Sequence, residues 1–256
     1  MISLRELKSR SAKHRLTPEY LVDRLLVRRV SIYVTWLLAH LPVTANQVTV
    51  ASTVLMVAGA VCLAFRPAWA APLGVALMMA GYVLDCCDGE IARFRGSTSL
   101  RGMYLDTLGH AMTIPAMFIA AGAGQAARLA TPEALALGAV AAVAATGPAR
   151  AALGVLKEMK GTHAAAGNGA AAGPAQPPRS PAKSLYLKTL GRLSLFPNSM
   201  FVLCAAVALD TLAGGFLGHR GAAYWTLAFY AALLSAEQLA AAAAWSREDR
   251  LRRETQ

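Results

Sequence analysis

The chain has 256 residues, enough for one domain of ordinary size; 56% are hydrophobic and only 15% charged. A soluble domain carries about a quarter charged residues, so this balance argues against an ordinary soluble fold. The net charge of +11 suits anionic lipid, and nucleic acid is set aside because the basic residues stand between apolar runs rather than along one polar face.

Residues 1–45 read as a cytoplasmic N-terminus. They begin with a charged stretch that lacks the apolar core of a secretory signal. Within them, Tyr20 to Leu41 is expected to form an amphipathic helix lying in the membrane interface. Arg24, Arg28 and Arg29 precede an apolar stretch from Val30 to Leu41 that is too short to span, and Tyr33 and Trp36 suit the headgroup level. Thr44-Ala45-Asn46 then offers capping oxygens for the first spanning helix.

A bilayer core of about 30 Å needs roughly 20 helical residues. Six apolar segments approach that length: Val48 to Phe65, Ala71 to Arg93, Met103 to Ala126, Glu133 to Val155, Leu195 to Leu212, and Ala222 to Trp245. The expected fold is therefore an all-α integral membrane protein with six transmembrane helices. The membrane domain covers residues 46–245, and residues 246–256 form a cytoplasmic tail.

Placing the N-terminus inside leaves Arg66, Arg128 and Arg220 as the only external members of the 25 Lys and Arg. That asymmetry predicts a multi-pass protein of the cell (inner) membrane with both termini cytoplasmic. The stretch 161–183, rich in Gly, Ala and Pro, reads as a flexible cytoplasmic linker. The four cysteines lie in apolar segments without a Cys-x-x-Cys pair, so neither a disulfide framework nor a zinc site is expected.

The chemistry is concentrated in residues 85–110, DCCDGEIARFRGSTSLRGMYLDTLGH. Asp85 and Asp88 share one helical face at the cytoplasmic end of the second span, and Asp106 and His110 share another at the start of the third. A turn around Gly96 to Arg101 would bring the two faces together. Ionisable groups at membrane depth are costly and usually functional. Clustered carboxylates repel one another unless a cation compensates them, and oxygen ligands favour Mg²⁺, Mn²⁺ or Ca²⁺ over zinc. Gly89, Ala92 and Gly102 are small enough for a nucleotide or diphosphate to approach the backbone, and Arg93 and Arg95 offer guanidinium groups for phosphate.

This segment resembles the signature of the CDP-alcohol phosphatidyltransferase family, D-x2-D-G-x2-A-R-x8-G-x3-D-x3-D. Asp85, Asp88, Gly89, Ala92, Arg93, Gly102 and Asp106 match at the family's spacing. The resemblance extends to an interfacial N-terminal helix, six membrane helices, and a T-P-N-x-x-T-like lead-in that here reads TANQVT.

It implies transfer of a phosphoalcohol group, with a phosphatidyl group expected, from CDP-diacylglycerol or another CDP-alcohol to a polar or lipid hydroxyl acceptor, releasing CMP in phospholipid biosynthesis. By the same resemblance, Asp85, Asp88 and Asp106 would hold Mg²⁺ or Mn²⁺. Gly89, Ala92, Arg93 and Gly102 would seat the donor, and the protein would form a homodimer among membrane lipids.

One position departs from the pattern. The family's last aspartate, proposed as the base that activates the acceptor, is His110 here. The imidazole serves as that base, or as a nitrogen ligand, or marks lost activity; the intact remainder of the motif favours the first two. Arg150, inside the cytoplasmic third of the fourth span, is the candidate for an acceptor phosphate, set against ordinary positive-inside anchoring. The rival reading is a transporter-like or non-catalytic membrane protein derived from this fold. Against it, the charges cluster at the cytoplasmic mouth rather than at the midplane, where transporter sites lie.

Overall fold

The computed structural model describes residues 3–11, 27–67, 69–130, 132–147, 198–212 and 221–254. They form eight helices and, among the described residues, no strand: α1 (Leu4–Ser11), α2 (Arg28–Ala39), α3 (Ala45–Leu63), α4 (Ala70–Phe94), α5 (Leu100–Leu129), α6 (Glu133–Thr146), α7 (Asn198–Leu212) and α8 (Gly221–Glu254). The fold is all-helical, as expected. Arg150 and the stretch 161–183 lie outside the described residues.

Local chemistry fixes where the helices near the site begin. Thr44 opens α3 with a capping box: its hydroxyl accepts from the Gln47 backbone N–H at 3.3 Å, and the Gln47 side chain accepts from the Thr44 N–H at 2.8 Å. Ser99 opens α5 by accepting from the Gly102 N–H at 3.1 Å. Between α4 and α5 the chain turns at Gly96, whose φ of +64° favours a residue without Cβ.

Helix α3 packs along both α4 and α5, α6 along α5 and α8, and α2 lies against α4. Small residues let α3 and α4 approach closely: a Cβ on Gly59 would stand 2.7 Å from the Gly74 carbonyl oxygen, and one on Gly74 equally close to that of Gly59. Close backbone approach through small residues is the means by which apolar helices associate without help from water. The main core joins Met56, Leu63, Met78, Phe118, Leu227 and Tyr230. All four cysteines are free thiols.

Among the described residues, two helices, α3 and α4, are long and apolar enough to cross a membrane by length and composition. Only 39% of the apolar window of each is buried within the protein. Their outward surface includes Val50, Val54, Val61 and Leu73, which stand exposed. Helices α6 and α7 are shorter apolar helices within their described bounds.

Candidate active site

The α4–α5 hairpin sets the geometry of the 85–110 segment. Asp85, Asp88 and Gly89 lie on the last turns of α4, and Asp106 and His110 on the first turns of α5. The short connector returns α5 beside α4, so that His110 Nε2 comes within 3.6 Å of Asp85 Oδ2. His110 Nδ1 lies 3.4 Å from Asp106 Oδ1, one turn back on its own helix. Close contact with α3 supports this placement: a Cβ on Gly109 would run into the Thr53 side chain, so glycine lets α5 sit this near α3.

Asp85, Asp106 and His110 each offer one ligand atom, and all three atoms lie within 4.8 Å of one another. Exposure is graded across the group: the side chain of Asp85 is 15% exposed, that of His110 29% and that of Asp106 49%. The group is therefore open on the α5 side and walled on the α4 side. Two carboxylates and an imidazole this close suit a divalent ion with hard-ligand preference, whose ligand distances of about 2.0–2.6 Å are compatible with the spread of these atoms.

Asp88 lies one turn further along α4 and is buried. Its Oδ2 accepts a hydrogen bond from the Thr49 hydroxyl on α3. The sequence predicts that Asp88 converges with Asp85, Asp106 and His110; the close ligand group consists of the other three, and Asp88 pairs with Thr49 on the neighbouring helix. Arg93, also half-buried, folds back toward the preceding turn, and a Cβ on Gly89 would stand 3.0 Å from its Nη1. Ala92 is half-buried beside it. Gly102 meets Asn46 at the start of α3, where a Cβ would stand 3.2 Å from the Asn46 Oδ1.

One expectation changes. Arg95, read from sequence as a phosphate ligand, gives its guanidinium to backbone carbonyls: Ala39 at 3.2 Å, Leu41 at 3.0 Å, and Val43. It ties the end of α4 to the α2–α3 turn. Thr49 and Glu90, which the sequence reading did not assign to the site, both form buried contacts around this part of α4. The signal available for Thr49 was a polar side chain in an apolar stretch, and for Glu90 an acidic side chain within the motif itself.

The family model for CDP-alcohol phosphatidyltransferase matches residues 42–209, a stretch that contains the whole 85–110 segment. Comparison with curated protein sequences gives no match. Among solved structures, the fold is similar to Mycobacterium tuberculosis phosphatidylinositol phosphate synthase (PgsA1) with CDP-DAG bound. The TM-score is 0.55 at 17% identity, covering 82% of this chain and 90% of that chain. With well over half of its length matched and the motif segment folded into one converging group, this chain belongs to the CDP-alcohol phosphatidyltransferase family, enzymes of phosphatidyl transfer in phospholipid synthesis.

Proposed function

We propose that this protein transfers a phosphatidyl group from CDP-diacylglycerol to a polar hydroxyl acceptor, releasing CMP at the cytoplasmic surface of the membrane. The observation that carries the reading is the convergence of Asp85, Asp106 and His110 across the α4–α5 junction, within the stretch matched by the family. The lipid donor is favoured by the similar synthase, whose structure holds CDP-DAG.

Asp85, Asp88 and Asp106 are the proposed holders of Mg²⁺ or Mn²⁺. When bound there, such an ion neutralises charge on the donor diphosphate and polarises the phosphorus under attack. Arg93 and the small positions Gly89, Ala92 and Gly102 seat the CDP part of the donor. His110 is the proposed base: its ring is flanked by two carboxylates that orient it, with Asp106 Oδ1 3.4 Å from Nδ1 and Asp85 Oδ2 3.6 Å from Nε2. Nε2 takes the proton from the acceptor hydroxyl. The acceptor oxygen bonds to the β-phosphorus, and the bond from that phosphorus to the bridging oxygen breaks. CMP departs with the electron pair. Positioning and charge neutralisation supply most of the catalysis, as in other phosphoryl transfers. Arg150 is retained as the candidate for a phosphate on the acceptor.

The same reading includes six membrane spans over residues 46–245, cytoplasmic termini and a homodimer. The apolar lengths of α3 and α4 support the spans. The helix α2, with Val30, Tyr33, Trp36 and Leu37 exposed while Ser31, Ile32 and Thr35 are buried, supports a helix lying on the membrane surface.

The test is CMP release by purified protein in lipid–detergent micelles with Mg²⁺ or Mn²⁺, CDP-diacylglycerol and a panel of polar alcohols. Acceptor-dependent CMP release that Asp88→Asn abolishes is the expected result. Silence with every lipid donor and every CDP-alcohol, from folded protein, would move the chain to the non-catalytic reading.

A further inference from the structure

The motif turns stand at the very end of α4, which closes at Phe94. A helix end has carbonyls without intrahelical partners, and it frays unless something outside holds it. Here α2 and the turn that follows it hold it in two places. The first is the Arg95 guanidinium on the carbonyls of Ala39, Leu41 and Val43.

The second is Glu90. Its side chain is buried, and each carboxylate oxygen has its own donor on α2: the Ser31 hydroxyl at 3.0 Å on Oε1 and the Thr35 hydroxyl at 2.7 Å on Oε2. The Arg28 guanidinium stands 3.8 Å from Oε1. One turn back on α4, the Cys87 thiol donates to the Ser31 carbonyl at 3.4 Å. Apolar contact beneath α2 accompanies these bonds: Val34 and Leu38 pack against a cluster of Val48, Cys87 and Ile91.

A carboxylate buried this deeply is costly unless its lone pairs are satisfied. An apolar side chain would hold α2 to α4 without that cost, but it would let the helices slide. Two hydroxyls one turn apart on α2, each matched to one oxygen, accept a single register. The register matters because of what shares the turn. Glu90 follows Gly89 directly, and Arg93 comes one turn later with its guanidinium folded back over Gly89. A displacement of the Glu90 backbone therefore moves both residues proposed to seat the donor.

We propose that Glu90 is a positioning residue of the donor site: by locking α2 to α4 in one register it sets the turn that carries Asp88, Gly89 and Arg93, and so controls the affinity for the cytidine diphosphate part of the donor. This deepens the transferase reading, on which it rests for the identity of the ligand. Glu90 directs its carboxylate to α2, so it acts through the turn and not on the reacting atoms.

Two variants test the lock from opposite sides. Glu90→Gln keeps the shape and removes the charge. Ser31→Ala with Thr35→Ala removes the same contacts from α2 and leaves α4 untouched, so it carries the test if Glu90→Gln does not fold. Binding of CDP alone, measured by equilibrium dialysis in Mg²⁺, reads the site without turnover. The expected result is a CDP dissociation constant raised by about 10-fold or more in both variants, because small misplacements of a binding group have effects of that order. The donor KM rises in step, and the acceptor KM is unchanged.

A merely structural lock would lower the amount of folded protein and hence Vmax, leaving the CDP affinity of the folded fraction as it was; that result would overturn the proposal. A wild-type chain that binds CDP yet transfers nothing would remove the transferase reading, while the dialysis results would still decide the role of Glu90.

Discussion

The Thr49 hydroxyl on α3 donates to the Asp88 carboxylate on α4, joining two helices through a buried contact between residues 39 positions apart. Thr49 stands near the capped start of α3, and its carbonyl accepts from Ser52 at 2.8 Å and Thr53 at 3.0 Å. Its backbone is therefore well fixed, and Asp88 is held by something rigid. Thr49→Val keeps the volume and removes the donor. A hydrogen bond to a charged group contributes about 1.5–3 kcal/mol, so CMP release should fall by roughly 10- to 100-fold. Thr49→Ser, which restores the hydroxyl, should recover most of the rate. Equal rates for Thr49→Val and wild type would show that Asp88 keeps its place unaided.

Metal dependence follows from the donor set. Chelation with EDTA should abolish CMP release, and Mg²⁺ or Mn²⁺ should restore it. Asp85→Asn and Asp106→Asn remove proposed ligands, so each should raise the Mg²⁺ concentration for half-maximal rate by at least about 10- to 100-fold, since even outer partners of a metal site are worth that much. The check is a metal titration at saturating donor. Full activity in EDTA-treated protein would refute the metal assignment of this group.

His110 separates a base from a bystander. General base catalysis contributes about 10²- to 10⁴-fold, so His110→Ala should reduce kcat by that range with little change in CDP affinity. His110→Asp installs the family's residue and should retain far more activity than the alanine variant. An alanine variant that loses CDP binding as well as turnover would instead assign His110 to holding the ion.

How much of this was legible in the sequence depends on the separation of the partners. The Asp85, Asp106 and His110 group was readable because its members sit at helical spacing on two elements joined by a short connector. The Thr44 cap was readable because its partner, Gln47, is three residues away. The Glu90 lock was not, because Ser31 and Thr35 are 59 and 55 residues distant and no periodicity links them to α4. Arg95 was misread for a related reason. Position beside a phosphate-binding motif suggests a free guanidinium, while the carbonyls that occupy it come from a turn more than 50 residues earlier. The start of α5 at Leu100 rather than Met103 reflects the Ser99 cap, a local cue that a search for apolar length passes over.

Asp210 yields a prediction about stability alone. It stands near the end of α7 and accepts from the Ala222 and Ala223 backbone N–H groups at the start of α8, at 2.5 and 2.8 Å. Its Oδ2 also accepts from the Gln125 amide on α5 at 2.8 Å. One carboxylate thus caps α8 from a neighbouring helix and ties in a third, where the positive end of the α8 dipole favours negative charge. Gly221 makes room for it: φ is +63°, and a Cβ there would stand 2.7 Å from Asp210 Oδ2. Asp210→Ala should cost about 1–3 kcal/mol by orphaning these donors. Gly221→Ala should cost about 1–2 kcal/mol through the left-handed backbone, with the close contact adding to it. Both losses should appear as lower melting temperatures in detergent. Gln125 lies 19 residues along α5 from Asp106, or about 28 Å of helix, so transfer per folded molecule should be unchanged. A variant that melts like the wild type yet transfers more slowly would mean that this end of the bundle communicates with the site.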